Sequence, residues 1–386
     1  MDLTAPAAQA AGTSTTPQKG LTAAGFLLGG TLLSLAGLVW DIQWHYDVGP
    51  DTFFTLPHLL LYAGSAVAGV ASLVVVLAAT AADRAGRPVD PAVGGVAVGV
   101  FGRTFAAPLG YLVAGVGAAL FLVYGLWDQW WHGLYGFDAV LESPPHMGFL
   151  LSITLTMTGA VMVSSAARGR GWSAPVTFAG LAVLLGFSTA TTNGLSALGG
   201  GVVELPAAGM AFMSVLTVVL GAQALDRWGG ALAVAGALAA FQAFFWWFAP
   251  WATRLYADSL GLPMRDYVTG VPVMPAMMPL CLVLVAGVVE LLLARARRRG
   301  RPLGRSGLIA GAIGGLAVTV TAPLQAVLLL GAPADGGQGG GGDMGGGTLA
   351  LILTVVCAGA AGAAAGFLGV RFGDMLRQLA PAREGR

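Results

Sequence analysis

All four histidines of this 386-residue chain fall in two short stretches that repeat one another. The first, WDIQWHYDVGPD, runs from Trp40 to Asp51 and is followed by Pro57-His58. The second, WDQWWHGLYGFD, runs from Trp127 to Asp138 and is followed by Pro145-His146. Trp40/Trp127, Asp41/Asp128, Trp44/Trp131, His45/His132, Gly49/Gly136 and Asp51/Asp138 share an offset of 87, and the Pro-His pairs one of 88, so one extra residue in the second loop absorbs the difference. Imidazole is the commonest neutral nitrogen ligand for transition metals. Asp41 and His45, four residues apart, share one helix face a turn apart. His58, just after a proline, suits the first turn of the next helix, where antiparallel packing would bring it to the same face. Two nitrogens and one carboxylate oxygen then converge, and Asp128, His132 and His146 repeat the set; three protein ligands leave an open position. Asp51 and Asp138 fit a supporting place, accepting the outward N–H of a ligating imidazole, or they cap the turn that follows. Two other readings stay open for the whole constellation: a hydrogen-bonded clamp at each hairpin tip, and a proton relay or quinone site. Ligand economy favours metal, because no histidine is left over elsewhere.

The elements that must hold these residues are membrane helices. The chain is 56% hydrophobic and only 10% charged, with 60 glycines and 10 tryptophans, far from the roughly 25% charged residues of soluble domains. About ten runs are long enough to cross the hydrocarbon: 21–44, 56–81, 104–131, 146–167, 174–192, 205–225, 229–250, 271–294, 306–331 and 348–370. The expected fold is all-α, a polytopic bundle of five helical hairpins, the first two an internal repeat. Its parts are a disordered cytoplasmic tail over 1–20, motif hairpins over 21–81 and 104–168, the remaining bundle over 169–372 and a cytoplasmic tail over 373–386. Arginines gather in alternate loops, at Arg84, Arg87 and Arg103, at Arg168 and Arg170, at Arg227, and from Arg295 to Arg305. The positive-inside rule puts those loops and both termini in the cytoplasm, and the two motifs at the outer face of a bacterial-type cell membrane. Arg254 and Arg265 are the basic exceptions on the outer side. Trp40, Trp44, Trp127, Trp130 and Trp131 then read as an interfacial belt that also shields a site from water.

Several function classes drop out. A net charge of +1 without a basic aromatic stripe excludes a nucleic-acid partner. Cys281 and Cys357 lie in apolar runs and form no thiolate metal box. The glycine-rich run 336–347 reads as a flexible outer loop, and with Lys19 as the sole lysine it is no phosphate-binding loop. Glycine rows such as Gly307, Gly311 and Gly315 read as close helix contacts. Gln242 and Gln325 read as interhelical hydrogen-bonding groups. Met274, Met277, Met278 and Cys281 read as packing, with soft Cu(I) contact as the second choice. Trp246, Trp247, Trp251 and Pro263-Met264 lie on the repeat only by a few chance matches.

The spacing Asp41-x3-His45-x12-His58 resembles the copper motif of the C subunit of particulate methane and ammonia monooxygenases, over about 40 residues. The resemblance implies copper at Asp41, His45 and His58, and again at Asp128, His132 and His146, where the second spacing is x13. It also implies companion membrane subunits and a dioxygen-using hydroxylase. That family carries one such motif rather than two and fewer helices. The expected function is a membrane protein binding copper, with iron or zinc as alternatives, at one or two Asp-His-His sites, as a monooxygenase-like oxidase or a subunit of one. The alternative is copper or zinc handling or assembly without catalysis. The expected surroundings are the bilayer, with companion subunits or further copies of the chain.

Overall fold

A computed structural model describes residues 20–136, 142–198, 202–225, 228–330 and 347–379. The N-terminal tail through residue 19, Asp138, the glycine-rich stretch through residue 346 and the last seven residues lie outside it. In order, the elements are α1 (Leu21–Asp47), α2 (Leu56–Arg84), β1 (Ala97–Val100), β2 (Phe105–Pro108), α3 (Leu109–Tyr135), α4 (Pro144–Ala166), α5 (Ser173–Asn193), α6 (Leu205–Ala224), α7 (Gly230–Leu260), α8 (Val273–Met277), α9 (Leu282–Arg298), α10 (Leu303–Leu330) and α11 (Gly347–Gln378). Among the described residues ten spans are long and apolar enough to cross a bilayer, α8 and α9 together making the eighth. The fold is an all-α polytopic bundle, as the hydropathy pattern predicts.

Chain direction alternates from span to span. Both motif tips, the α1–α2 and α3–α4 loops, therefore lie at one end, and the arginine-bearing loops lie at the other. Contacts agree with this. At the arginine end Arg170 pairs with Asp90 at 3.2 Å, and Arg297 and Arg377 reach the α6 terminus at Gln223. At the motif end the backbone N–H of Arg265 donates to Asp47 O at 2.8 Å.

Small residues let the motif hairpins close. A Cβ on Gly37 would lie 2.5 Å from Leu61 N, so α1 and α2 touch backbone to backbone, one turn from Asp41 and from His58. Ser34 Oγ donates to Leu61 O across the same contact at 3.2 Å. In the second hairpin the roles of the helices are exchanged: the residue matching Gly37 is Tyr124, and its ring lies on Gly148 of α4. Gly307 and Gly315 meet Gly366 O and Ala358 O at 2.5 and 2.6 Å from a built Cβ, so α10 and α11 pack along a glycine seam. The core centres on α5, whose side chains are the most buried of any span, with Leu181, Leu185 and Phe187 at 0–1% exposure.

Three features depart from the hydropathy reading. Residues 97–108, partly assigned to the third span, form a β-hairpin, because alternating Val and Gly carry no helical stripe and Gly94 and Gly95 hold φ of 88° and 95°. The eighth span breaks around Pro279, which has no N–H to continue the ladder. Gln242 Nε2 donates to Pro275 O at 2.7 Å, and Gln325 donates to Ala276 O and Met278 O at 2.6 and 2.7 Å. Two intramembrane amides thus satisfy the carbonyls that the break releases. Finally, α7 runs on through Pro250 to Leu260, and its end packs on the first motif hairpin.

Candidate metal centre

Each motif glycine sits where the chain must leave its helix. Gly49 has φ 106° and Gly136 φ 84°, the left-handed region in which a Cβ is strained. Gly49 N–H donates to Trp44 O at 3.1 Å and Gly136 N–H to His132 O at 2.9 Å, closing the helix ends. At Gly49 a side chain would also collide with the Arg265 guanidinium. Trp44 Nε1–H donates to Pro50 O at 2.7 Å and pins the returning loop. Pro57 and Pro145 then open the next helices, so that His58 and His146 fall in their first turns.

In the first tip four groups converge. His58 Nε2 lies 3.0 Å from Asp41 Oδ1 and 3.5 Å from Asp51 Oδ2. His45 Nε2 lies 3.1 Å from Asp51 Oδ2 and 3.7 Å from Asp41 Oδ1. Asp51 therefore stands in front of both imidazoles, beside Asp41. The supporting place behind an imidazole goes instead to the Thr52 carbonyl, 3.0 Å from His58 Nδ1. A carbonyl only accepts, so Nδ1 carries a proton, and Nε2 is the nitrogen turned toward the two carboxylates. Asp51 Oδ1 is itself held by Thr52 N–H at 2.7 Å. Burial opposes ionisation of Asp51, but the hydrogen bond to His45, the nearby His58 and the Thr55 hydroxyl outweigh it and hold the carboxyl below the usual range.

The second tip brings together Asp128 Oδ1, His132 Nε2 and His146 Nε2. Their separations are 3.4 Å for His132–Asp128, 3.3 Å for His146–Asp128 and 3.4 Å for His132–His146, a nearly equilateral triangle. His132 Nδ1–H donates to Gly136 O at 2.9 Å, so this ring too presents Nε2 inward. Ser143 caps α4 and accepts from His146 N–H at 3.4 Å. Asp138, assigned a supporting place by the repeat, lies outside the described residues.

Donor atoms bound to one ion at about 2.05 Å, at tetrahedral angles, stand about 3.3 Å apart. The first centre spans this value and all three edges of the second match it. In both groups one donor atom per residue lies within 4.8 Å of every other. Asp41 Oδ1 is buried, 3.0 Å from His58 Nε2 and 3.7 Å from His45 Nε2. A buried carboxylate oxygen in that position fits a cation. The donor set of imidazole and carboxylate suits Cu, Fe or Zn alike.

The surroundings of the two centres differ. Trp40 and Trp44 are 7% and 1% exposed. They pack on Phe248 and Tyr256 of α7, which removes them from the expected interfacial belt, while Trp127 and Trp130 are 38% and 59% exposed. Met264 joins Trp44, Val48 and Ala257 in one cluster, so the segment with partial likeness to the repeat is the cover of the first hairpin. Sequence reasoning passed over Asp47, which is buried and accepts from Gln43 Nε2 at 2.9 Å. Arg254 and Arg265 supply the positive charge around it, which accounts for the two basic exceptions at this end. It also passed over Tyr62, one turn after His58, which stacks on that ring at 6.0 Å and meets Phe121 and Phe149 of the second hairpin at 5.9 and 6.5 Å. Spacing from His58 could have flagged Tyr62; nothing in the sequence marked Asp47. Met274 and Met278 are buried in the apolar core and Met277 faces outward near Asn193, so the three sulfurs diverge. Comparison with known protein families, curated proteins and solved structures found no match to this chain.

Proposed function

We propose that each motif tip is a transition-metal centre, with Asp41, His45, Asp51 and His58 holding one ion and Asp128, His132 and His146 holding another. The observation that carries this is the triangle of Asp128, His132 and His146, whose three edges of 3.3–3.4 Å are ligand-to-ligand distances. A hydrogen-bonded clamp would have to draw its proton from His146. The His132 Nδ1 proton is already committed to Gly136 O, so a neutral His132 brings no proton to the inner face. Two charged rings at that separation would repel.

Copper is the first choice of ion, on the resemblance of the motif to the monooxygenase C subunit; iron and zinc fit the same donors. The ligand side chains are only 2–23% exposed, which supports a resident ion over a carrier's exposed capture site. The reading is therefore a membrane oxidase or monooxygenase-like protein, or a subunit of one, acting at the outer face. A bound copper ion would supply one-electron and dioxygen chemistry. The chain's own part is to hold one imidazole in each tip by a backbone carbonyl, to keep the Asp51 carboxylate ionised, and to wall the centres with aromatic rings.

Metal analysis of the purified protein tests this. About two equivalents are expected in the parent, one in His45→Ala or His132→Ala, and none in the double variant. Equal metal in the parent and the double variant ends the reading. With copper bound, oxygen uptake in the presence of small apolar substrates separates oxidase from metal handling.

A further inference from the structure

The β-hairpin at the arginine end has no part in the centres, and its tip is built at a steric cost. β1 and β2 pair antiparallel from Ala97↔Pro108 to Val100↔Phe105. The turn that joins them places three consecutive residues at left-handed φ: Phe101 at 48°, Gly102 at 64° and Arg103 at 68°. Only glycine is at ease there, and a phenylalanine held so is a strained feature that needs a reason. The strain presents an aromatic ring to the surroundings, because Phe101 is 84% exposed.

The hairpin is fixed at a definite depth. Ala106 N–H donates to Thr80 Oγ1 at 3.0 Å, and Arg84 Nη2 donates to Thr104 O at 2.8 Å, so the tip lies against the last turns of α2. The outward side chains of the same helix, Val70, Leu73, Val74 and Leu77, are 47–60% exposed and face lipid. From Leu77 to Arg84 the helix rises about 10 Å, which carries the tip from hydrocarbon to headgroup level. Arg84, Arg87 and Arg103 cluster there, and among the described residues none of the three is in a salt bridge. Asp90 is engaged by Arg170 at 3.2 Å, leaving Asp83 as the neighbouring acid against three arginines.

We propose that the hairpin 97–108 is an anionic-phospholipid site: Phe101 enters the bilayer interface while Arg84, Arg87 and Arg103 bind lipid phosphates. Aromatic rings favour the interface, and clustered arginines beside a span favour anionic headgroups. The proposal is independent of the metal reading.

The full chain, in vesicles of phosphatidylcholine with or without phosphatidylglycerol, tests it. Phosphatidylglycerol should be retained in native mass spectra of the parent. Retention should weaken roughly fivefold per arginine, and so on the order of a hundredfold in the Arg84→Gln, Arg87→Gln, Arg103→Gln variant. A nitroxide on Phe101→Cys, with Cys281→Ser and Cys357→Ser, should be relaxed by oxygen more than by a nickel chelate. Phe101→Gly should raise the melting temperature in detergent, since it relieves the turn, yet weaken lipid retention. Unchanged retention in the triple variant overturns the proposal. So does a nitroxide open to the nickel chelate, and so does one shielded from both relaxants, which would mean that protein covers the tip.

Discussion

Gly37→Ala is the sharpest perturbation of the first centre, because it adds one methyl group away from every ligand. The new Cβ would stand 2.5 Å from Leu61 N and 2.8 Å from Leu61 Cα, all backbone that no rotamer change can move. Ordinary contact needs about 3.5 Å, so α1 and α2 must part by about 1 Å at this level. Gly37 lies one turn before Asp41, and Leu61 one turn after His58. The same displacement therefore opens the 3.0 Å approach of Asp41 to His58, whereas ligation tolerates only about 0.2 Å. Overpacking costs about 1–3 kcal/mol, partly offset by about 1 kcal/mol of helix propensity gained in replacing glycine, so the bundle should survive. Gly25→Ala, on the same helix with no atom within 4 Å of the new Cβ, is the control. Metal content and melting temperature of both variants form the assay. Gly37→Ala should lose one equivalent and keep the other; Gly25→Ala should keep both. Two equivalents at parental affinity in folded Gly37→Ala would refute the link between the helix contact and the centre.

Three further outcomes are expected. Asp51→Asn keeps the acceptor for Thr52 N–H but removes a charge from the front of both imidazoles, and should weaken metal at the first centre by at least the roughly 10–100-fold seen for lost supporting groups, measured by competition with a chelator. Metal uptake should fall as pH drops from the alkaline into the mildly acidic range, because protons compete with the ion for imidazole nitrogen. The unprotonated ring is the ligand, and Asp51, held below the usual carboxylate range, stays ionised and keeps its attraction for the ion throughout that window; equilibrium dialysis against pH checks this. Gln325→Leu should cost about 1–3 kcal/mol in unfolding from mild detergent, since it leaves Ala276 O without its donor and Leu280 N–H without its acceptor, while Met278 O keeps only the bond from Gln242.

The motif was legible because its chemistry is local. Asp41 with His45, and Asp128 with His132, share a face by helical period alone, and the prolines fix where His58 and His146 begin the next helices. The spans were legible because a bilayer demands long apolar runs. What escaped depends on contacts between distant segments. Asp51 reads as a capping or supporting acid until Trp44 pins Pro50 and turns the loop inward. Trp40 and Trp44 read as an interfacial belt until α7, some 200 residues on, covers them. The break around Pro279 hides in an apolar run because its carbonyls are satisfied by Gln242 and Gln325 from other helices. Hydropathy cannot separate the β-hairpin from a helix start, since valine and glycine suit either count.

Duplication has given the two tips similar ligands but opposite surroundings, and this bears on what each can do. The first lies under α7 and the loop carrying Arg265, with both of its conserved-spacing tryptophans buried. The second lies beside the lipid-facing residues Trp127, Trp130 and Tyr135, which are 38%, 59% and 66% exposed. The wall between the tips is not symmetric either. Tyr62 stacks on His58 and meets Phe149, which follows His146 by one turn, whereas the position in the second copy that matches Tyr62 is Leu150. The two tips are thus packed as a pair, the first enclosed by protein and the second beside exposed aromatic side chains.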